Sequence, residues 1–152
     1  MKINRSPTIA MLWSLCLPGF GQFYNRDYII GLVLVTLELM INVKANLNLA
    51  ILYSFRGQIA LAIQTVDYQW LLFYPCIYSY SMWQAYNQAL ETNRFDGENE
   101  KDRFQLRYNS HFIGAAMGGT LGIIYLDQIG PVFGGFLGLA IGVAIGSWLK
   151  RL

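Results

Sequence analysis

Along the chain, long uncharged apolar runs alternate with short clusters of charge. The first run, Thr8 to Phe23, is interrupted by Pro18, Gly19 and Gly21. A bilayer core needs about 20 helical residues, so this run either crosses with a distorted end or dips in and returns. A second run, Tyr28 to Val43, predicts a helix that extends toward Lys44, whose stem can snorkel to the interface. Residues Asn46 to Gln69 mix apolar patches with polar positions and predict interfacial or short extramembrane helices. The third apolar segment, Trp70 to Leu90, is crowded with aromatics, and Pro75 predicts a kink in it. A polar loop, Glu91 to Ser110, follows. Two further apolar segments, Phe112 to Leu126 and Val132 to Leu149, are joined by Asp127-Gln128-Ile129-Gly130-Pro131. Those turn residues predict an antiparallel helical hairpin.

Composition supports a membrane reading. Of the 152 residues, 55% are hydrophobic and 13% charged, whereas a soluble domain carries about a quarter charged residues. The net charge of +2 gives nucleic acid no electrostatic grip, so none is expected as a partner. The basic stretch Arg94 to Arg107 also holds Asp96, Glu98, Glu100 and Asp102, and reads as a solvated loop. Cys16 and Cys76 lie in apolar segments and read as buried small hydrophobes rather than a disulfide framework. No signal-peptide cleavage pattern follows Lys2 and Arg5, so the first run is expected to be retained.

Basic residues set the expected orientation. With the linker Asn25 to Asp27 inside, Arg26, Arg94, Lys101, Arg103, Arg107, Lys150 and Arg151 are all cytoplasmic, against Lys44 and Arg56 outside. Lys2 and Arg5 join the inside set only if the first segment is re-entrant.

The stretch Leu17-Pro18-Gly19-Phe20-Gly21-Gln22-Phe23-Tyr24, followed by Gly31, resembles the TM2 domain family. Pro18, Gly19, Gly21, Phe23 and Tyr24 form the turn motif, and the likeness covers about Ser6 to Val43. The resemblance implies a pair of membrane helices with a short linker and no catalytic residues. Gln22 stands where many members carry histidine, and Arg26 stands near a common glycine position.

Glycine spacing is the strongest remaining signal. Gly114, Gly118 and Gly122 recur every four residues, as do Gly134, Gly138, Gly142 and Gly146. Gly119 and Gly135 widen the two stripes. Residues four apart share a helix face, and in lipid small residues let helices approach closely. The stripes either face each other within the hairpin or pack against another subunit.

Glu38 is an acidic residue in the middle of an apolar run. It shares a helical stripe with Gly31, Val35 and Asn42, and its candidate partners are Tyr78, Ser79, Ser81 and Asn42. An ion or proton site is one reading; a neutral carboxyl hydrogen-bonded between helices is the other. His111 stands alone at the mouth of the fourth segment and reads as an interfacial cap. No metal-ligand spacing, catalytic triad or phosphate-binding loop is present, so neither an enzyme nor a cofactor is expected.

The expected fold is all-α: a polytopic integral membrane bundle of four to five hydrophobic helices. It comprises a TM2-like helix pair (1–43), an interfacial segment (44–69), a third membrane helix (70–90), a polar cytoplasmic loop (91–110) and a glycine-zipper hairpin (111–152). The expected function is a structural or interaction role, assembling with itself or another membrane protein through glycine-mediated packing. The alternative is a small ion channel or transporter using Glu38 and the zipper helices. Short loops and the compact first half point to a bacterial cytoplasmic membrane with the C-terminus inside.

Overall fold

The computed structural model describes residues 5–95 and 109–149. Lys2, most of the polar loop 91–110 and the basic tail Lys150–Arg151 lie outside the described residues. Among the described residues all regular structure is helical.

Helix α1 spans Pro7–Cys16. Ser6 caps it by accepting from the Ile9 N–H, and Pro7 fills the first turn, where a missing N–H costs nothing. The chain then breaks at Leu17–Gly19 and re-forms as the short α2, Phe20–Tyr24. Asp27 caps α3, Tyr28–Lys44. Three short helices follow: α4 Leu47–Phe55, α5 Ile59–Thr65 and α6 Tyr68–Leu71. The long α7 covers Tyr74–Phe95. Helices α8, Asn109–Tyr125, and α9, Pro131–Leu149, form the terminal hairpin. A single 3-10 turn, Asp127–Ile129, connects them. Gly130 follows at φ +89° and Pro131 opens α9.

Two expectations on the third segment are corrected. Pro75 does not kink a helix; it is the second residue of α7, where its lack of an N–H breaks no bond. The chain is instead broken before it, between α6 and α7. Helix α7 also runs on to Phe95, into what reads as loop. Glu91, Thr92 and Asn93 continue the helix where α1 packs alongside.

Helix α7 is the axis of the molecule. Helix α1 runs antiparallel to it, with Asn93 bonded to the Arg5 backbone in both directions (2.9 and 2.7 Å) and Ala10 packed on Ala85 and Ala89. Helix α3 is also antiparallel: Asp27 meets Gln84 at one end and Glu38 meets Tyr74 toward the other. Helix α8 lies along another side, antiparallel again, from the Trp83–Asn109 bond to Gly119 against Pro75. At the far end, Ala45, Leu47, Val66, Leu71, Ile123 and Val132 form an apolar core that seats α4 and α6 on the hairpin.

Among the described residues α9 is long and apolar enough to cross a membrane by itself. Helices α3 and α4 pass the same test together, bent by 64°. The remaining expected spans fall short of it. Helix α1 has 10 residues and α8 has 17; α7 has 22 but carries many polar side chains.

Candidate functional site

The glycines bring α8 and α9 into backbone contact. A methyl on Gly114, Gly118 or Gly122 would strike the carbonyl oxygen of Gly142, Gly138 or Gly134 respectively. In return, a methyl on Gly134, Gly138 or Gly142 would strike the carbonyl oxygens of Gly122, Gly118 and Gly114, and one on Gly146 that of Ser110. The hairpin turn sets this register, and only residues without a Cβ permit it. Gly119 faces Pro75 of α7, and Gly135 faces the Ile123 side chain. Both series, and the two glycines that widen them, therefore meet atoms of their own chain. His111 sits in the first turn of α8, its backbone near Gly146.

The turn motif folds the first segment back on itself. Gly19 adopts φ +104° and lies against the Gly31 carbonyl and Val35. A side chain there would be strained and would also clash. Gly21 presses on the Ala10 carbonyl and Ser14, so α2 returns alongside α1. The Ser6 N–H donates to the Tyr24 hydroxyl at 3.2 Å, which closes the return. The Phe23 ring lies over Gly31, and Pro18 is fully buried. Ring contacts link Trp13 to Phe20, Phe20 to Phe23 and Phe23 to Tyr28. Arg26 takes φ +64°, the left-handed conformation that suits glycine.

Gln22 holds the elbow to α7. It is 0% exposed. Its amide donates to the Ser81 carbonyl at 2.9 Å and to Gln84 Oε1 at 2.7 Å. Its oxygen accepts from the Ser14 and Ser81 hydroxyls, both at 3.3 Å. Both amide protons and the oxygen are thus paired within the protein. Gln84 extends the network to Asp27 and Gln88, and the Asn25 amide donates to the Ala85 carbonyl. Sequence reasoning placed no role on Gln22 or Gln84. The available signal was the spacing of Tyr74, Tyr78, Ser81, Gln84 and Gln88, which puts a polar stripe on one face of α7.

Glu38 is 4% exposed and faces protein. It accepts from the Tyr74 hydroxyl at 2.8 Å and from the Asn42 amide at 3.3 Å. Asn42 in turn reaches the exposed Asn48 at 3.2 Å. The Tyr78 ring packs on Tyr74 with centroids 4.8 Å apart. The other two candidates lie elsewhere: Ser81 bonds Gln22 and Gly19, and the buried Ser79 hydroxyl has no partner. Tyr74 was missed because Pro75 placed it at a kink, whereas it opens α7 beside α3.

The cysteines correct another expectation. Cys16 and Cys76 are both free and exposed. Ala10 and Ser14 fill the inner side of α1, and Ser79 and Ser81 that of α7, which leaves the thiols outward.

No family model, curated protein or solved structure matches the chain.

Proposed function

We propose that the chain is a multi-pass integral protein of the cytoplasmic membrane with a structural or interaction role rather than an enzymatic one. The observation that carries this reading is the inverted packing of the hairpin. Glycines fill the contact between α8 and α9, while Ile113, Met117, Leu121, Tyr125, Leu137, Ile141 and Ile145 point outward and are exposed. The α9 span has a mean hydropathy of 1.9, yet only 28% of it is buried. Water makes such a surface unfavourable, and a bilayer makes it ordinary.

The helix directions support an orientation. Arg5, the end of α7, the start of α8 and the end of α9 all lie toward one end of the bundle, as does Arg26. In the sequence, the stretches that continue from that end carry Lys2, Arg94, Lys101, Arg103, Arg107, Lys150 and Arg151, and those that continue from the other carry Lys44 and Arg56. That asymmetry makes the shared end cytoplasmic. Helix α1 is about 15 Å long, half of a hydrocarbon core, and the chain then turns back. The first segment accordingly turns back on the side where it starts instead of crossing, which keeps Arg5 and Arg26 on one side. The glycines hold the hairpin together, and assembly with a second copy or another membrane protein would use its outer ridges.

Carbonate extraction and single-cysteine labelling test this reading, with Cys16 and Cys76 replaced by serine. Arg56→Cys should react with an impermeant maleimide in intact cells, and Lys101→Cys only after lysis. Release by carbonate, or outside labelling at position 101, overturns it.

A second reading is a small channel or transporter using Glu38 and the hairpin. The line from exposed Asn48 through Asn42 to buried Glu38 and Tyr74 favours it. Backbone contact leaves no lumen between α8 and α9, so a path would follow α3 and α7. Glu38→Gln in a liposome flux assay decides: transport that survives the change removes Glu38 from the path.

A further inference from the structure

Glu38 lies about 15 Å from the start of α3 and about 9 Å from its end, at 1.5 Å of rise per residue. Its surroundings differ in the two directions. Toward the extracytoplasmic end, Asn42 follows one helical turn on, half-buried, and its amide reaches the exposed Asn48. Toward the cytoplasmic end, the same face of α3 is closed. Gly19 lies against Val35 and the Gly31 carbonyl, and the Phe23 ring covers Gly31. Leu34 and Ile41, which flank the carboxyl along α3, are buried. The polar network of the elbow does not continue to Glu38, because the Ser81 hydroxyl is turned to the Gly19 N–H and to Gln22.

Only one oxygen of the carboxyl is engaged. Glu38 Oε1 accepts from both the Tyr74 hydroxyl and the Asn42 amide. Oε2 accepts from none of the described residues, and unlike the Ser79 hydroxyl it is not sealed from the surface. No basic side chain bonds to Glu38 among the described residues. Of the elements around it, α7 presents Tyr74 and Tyr78, and α1 ends at Cys16 near Tyr78. Lys44, Asp67 and Tyr68 lie at the extracytoplasmic end, where the Asp67 N–H meets the Ala45 carbonyl. Helix α4 adds Tyr53 beyond Asn48, and α2 places Tyr24 at the opposite end, beside Ser6.

We propose that Glu38 is a proton-binding site served from the extracytoplasmic side alone. A proton from outer water is taken onto Oε2 past Asn48 and Asn42, and leaves by the same route. The proposal rests on the membrane orientation above, and it replaces a path through the protein with a dead end. An ionised carboxyl within hydrocarbon is costly, and gaining a proton removes that cost. A metal ion would need several oxygen ligands, whereas Tyr74 and Asn42 turn an O–H and an N–H toward Glu38. A proton needs only the free Oε2. Because a charged acceptor makes the stronger hydrogen bond, outside acidity then acts on the Tyr74 contact that joins α3 to α7.

The test uses the full chain in right-side-out and inverted membrane vesicles. They are pulsed with dicyclohexylcarbodiimide, which modifies protonated carboxyls in apolar surroundings, and the adduct on Glu38 is measured by peptide mass spectrometry. Glu38→Gln identifies the adduct by its loss. In right-side-out vesicles, changing the bathing buffer from alkaline to acidic should raise modification at least threefold. In inverted vesicles the same change should leave it unaltered. A response in inverted vesicles, or a response in neither preparation, overturns the proposal. So does a proton flux across liposomes that Glu38→Gln abolishes, since that requires access from both sides. The wild-type measurements decide even if the variant does not fold. Failure of the orientation is read separately, as release by carbonate or as reversed labelling of Arg56→Cys and Lys101→Cys.

Discussion

The two halves of the molecule join their helices by opposite means. In the terminal hairpin, α8 and α9 meet through glycine backbones, without a polar side chain in the seam. In the N-terminal half, α1, α2 and α3 are tied to α7 by side-chain hydrogen bonds centred on Gln22, with Glu38–Tyr74 farther along. The hairpin depends on close approach and dispersion, which any added atom disrupts. The other half depends on complete pairing of buried amides and hydroxyls, and there a missing partner is the main damage. The first arrangement should therefore be brittle to added volume, and the second to lost polarity.

Gly138→Leu should give the largest effect. Its side chain has only the Gly118 carbonyl and Gly122 backbone to displace. Overpacking of this kind costs about 3 kcal/mol. Unfolding in bicelles measures it, and a loss below about 0.5 kcal/mol would remove the seam as the basis of the hairpin.

Gln22→Leu keeps approximate volume and strands Ser14, Ser81 and Gln84 without their partner. A loss of about 1.5 kcal/mol is expected, by the same titration. If the variant matched wild type, polar pairing would not distinguish this half from the hairpin.

Arg26→Gly should act in the other direction. A non-glycine residue at φ +64° carries about 1 kcal/mol of strain, so glycine should raise the midpoint of unfolding. An unchanged or lower midpoint would mean that the arginine side chain offsets the strain.

The smallest effect is expected at the Glu38–Tyr74 bond. A double-mutant cycle with Glu38→Gln and Tyr74→Phe should give a coupling of about 0.6 kcal/mol, typical of hydrogen bonds between membrane helices. Zero coupling would show that the 2.8 Å contact adds nothing to the α3–α7 joint.

Local pattern made several elements legible. Asp27 as a cap and an uncharged run mark α3, and the period of four in the glycines marks one face of each hairpin helix. Asp127 to Pro131 reads as a turn because each residue type has a specific backbone reason to be there. The polar joint was not legible in the same way. Gln22 and Ser81 lie far apart in sequence, and nothing local shows that an amide oxygen on α2 will meet two hydroxyls from α1 and α7. Pro75 misled for a related reason. Its ring forbids a helix interior, but whether the helix kinks there or begins there depends on what α6 packs against.

By itself, then, the sequence determined the helical class, the apolar runs and the glycine faces, because each follows from residue type and period. Tertiary structure decided the rest. It turned the first segment back at Gly19, since close packing of Gly21 on Ala10 requires that path. It assigned both glycine series to their own chain, because the short turn brings those carbonyls face to face first. It also gave Glu38 its partner and left Ser79 without one, outcomes set by how α7 is rotated among its neighbours rather than by any spacing along the chain.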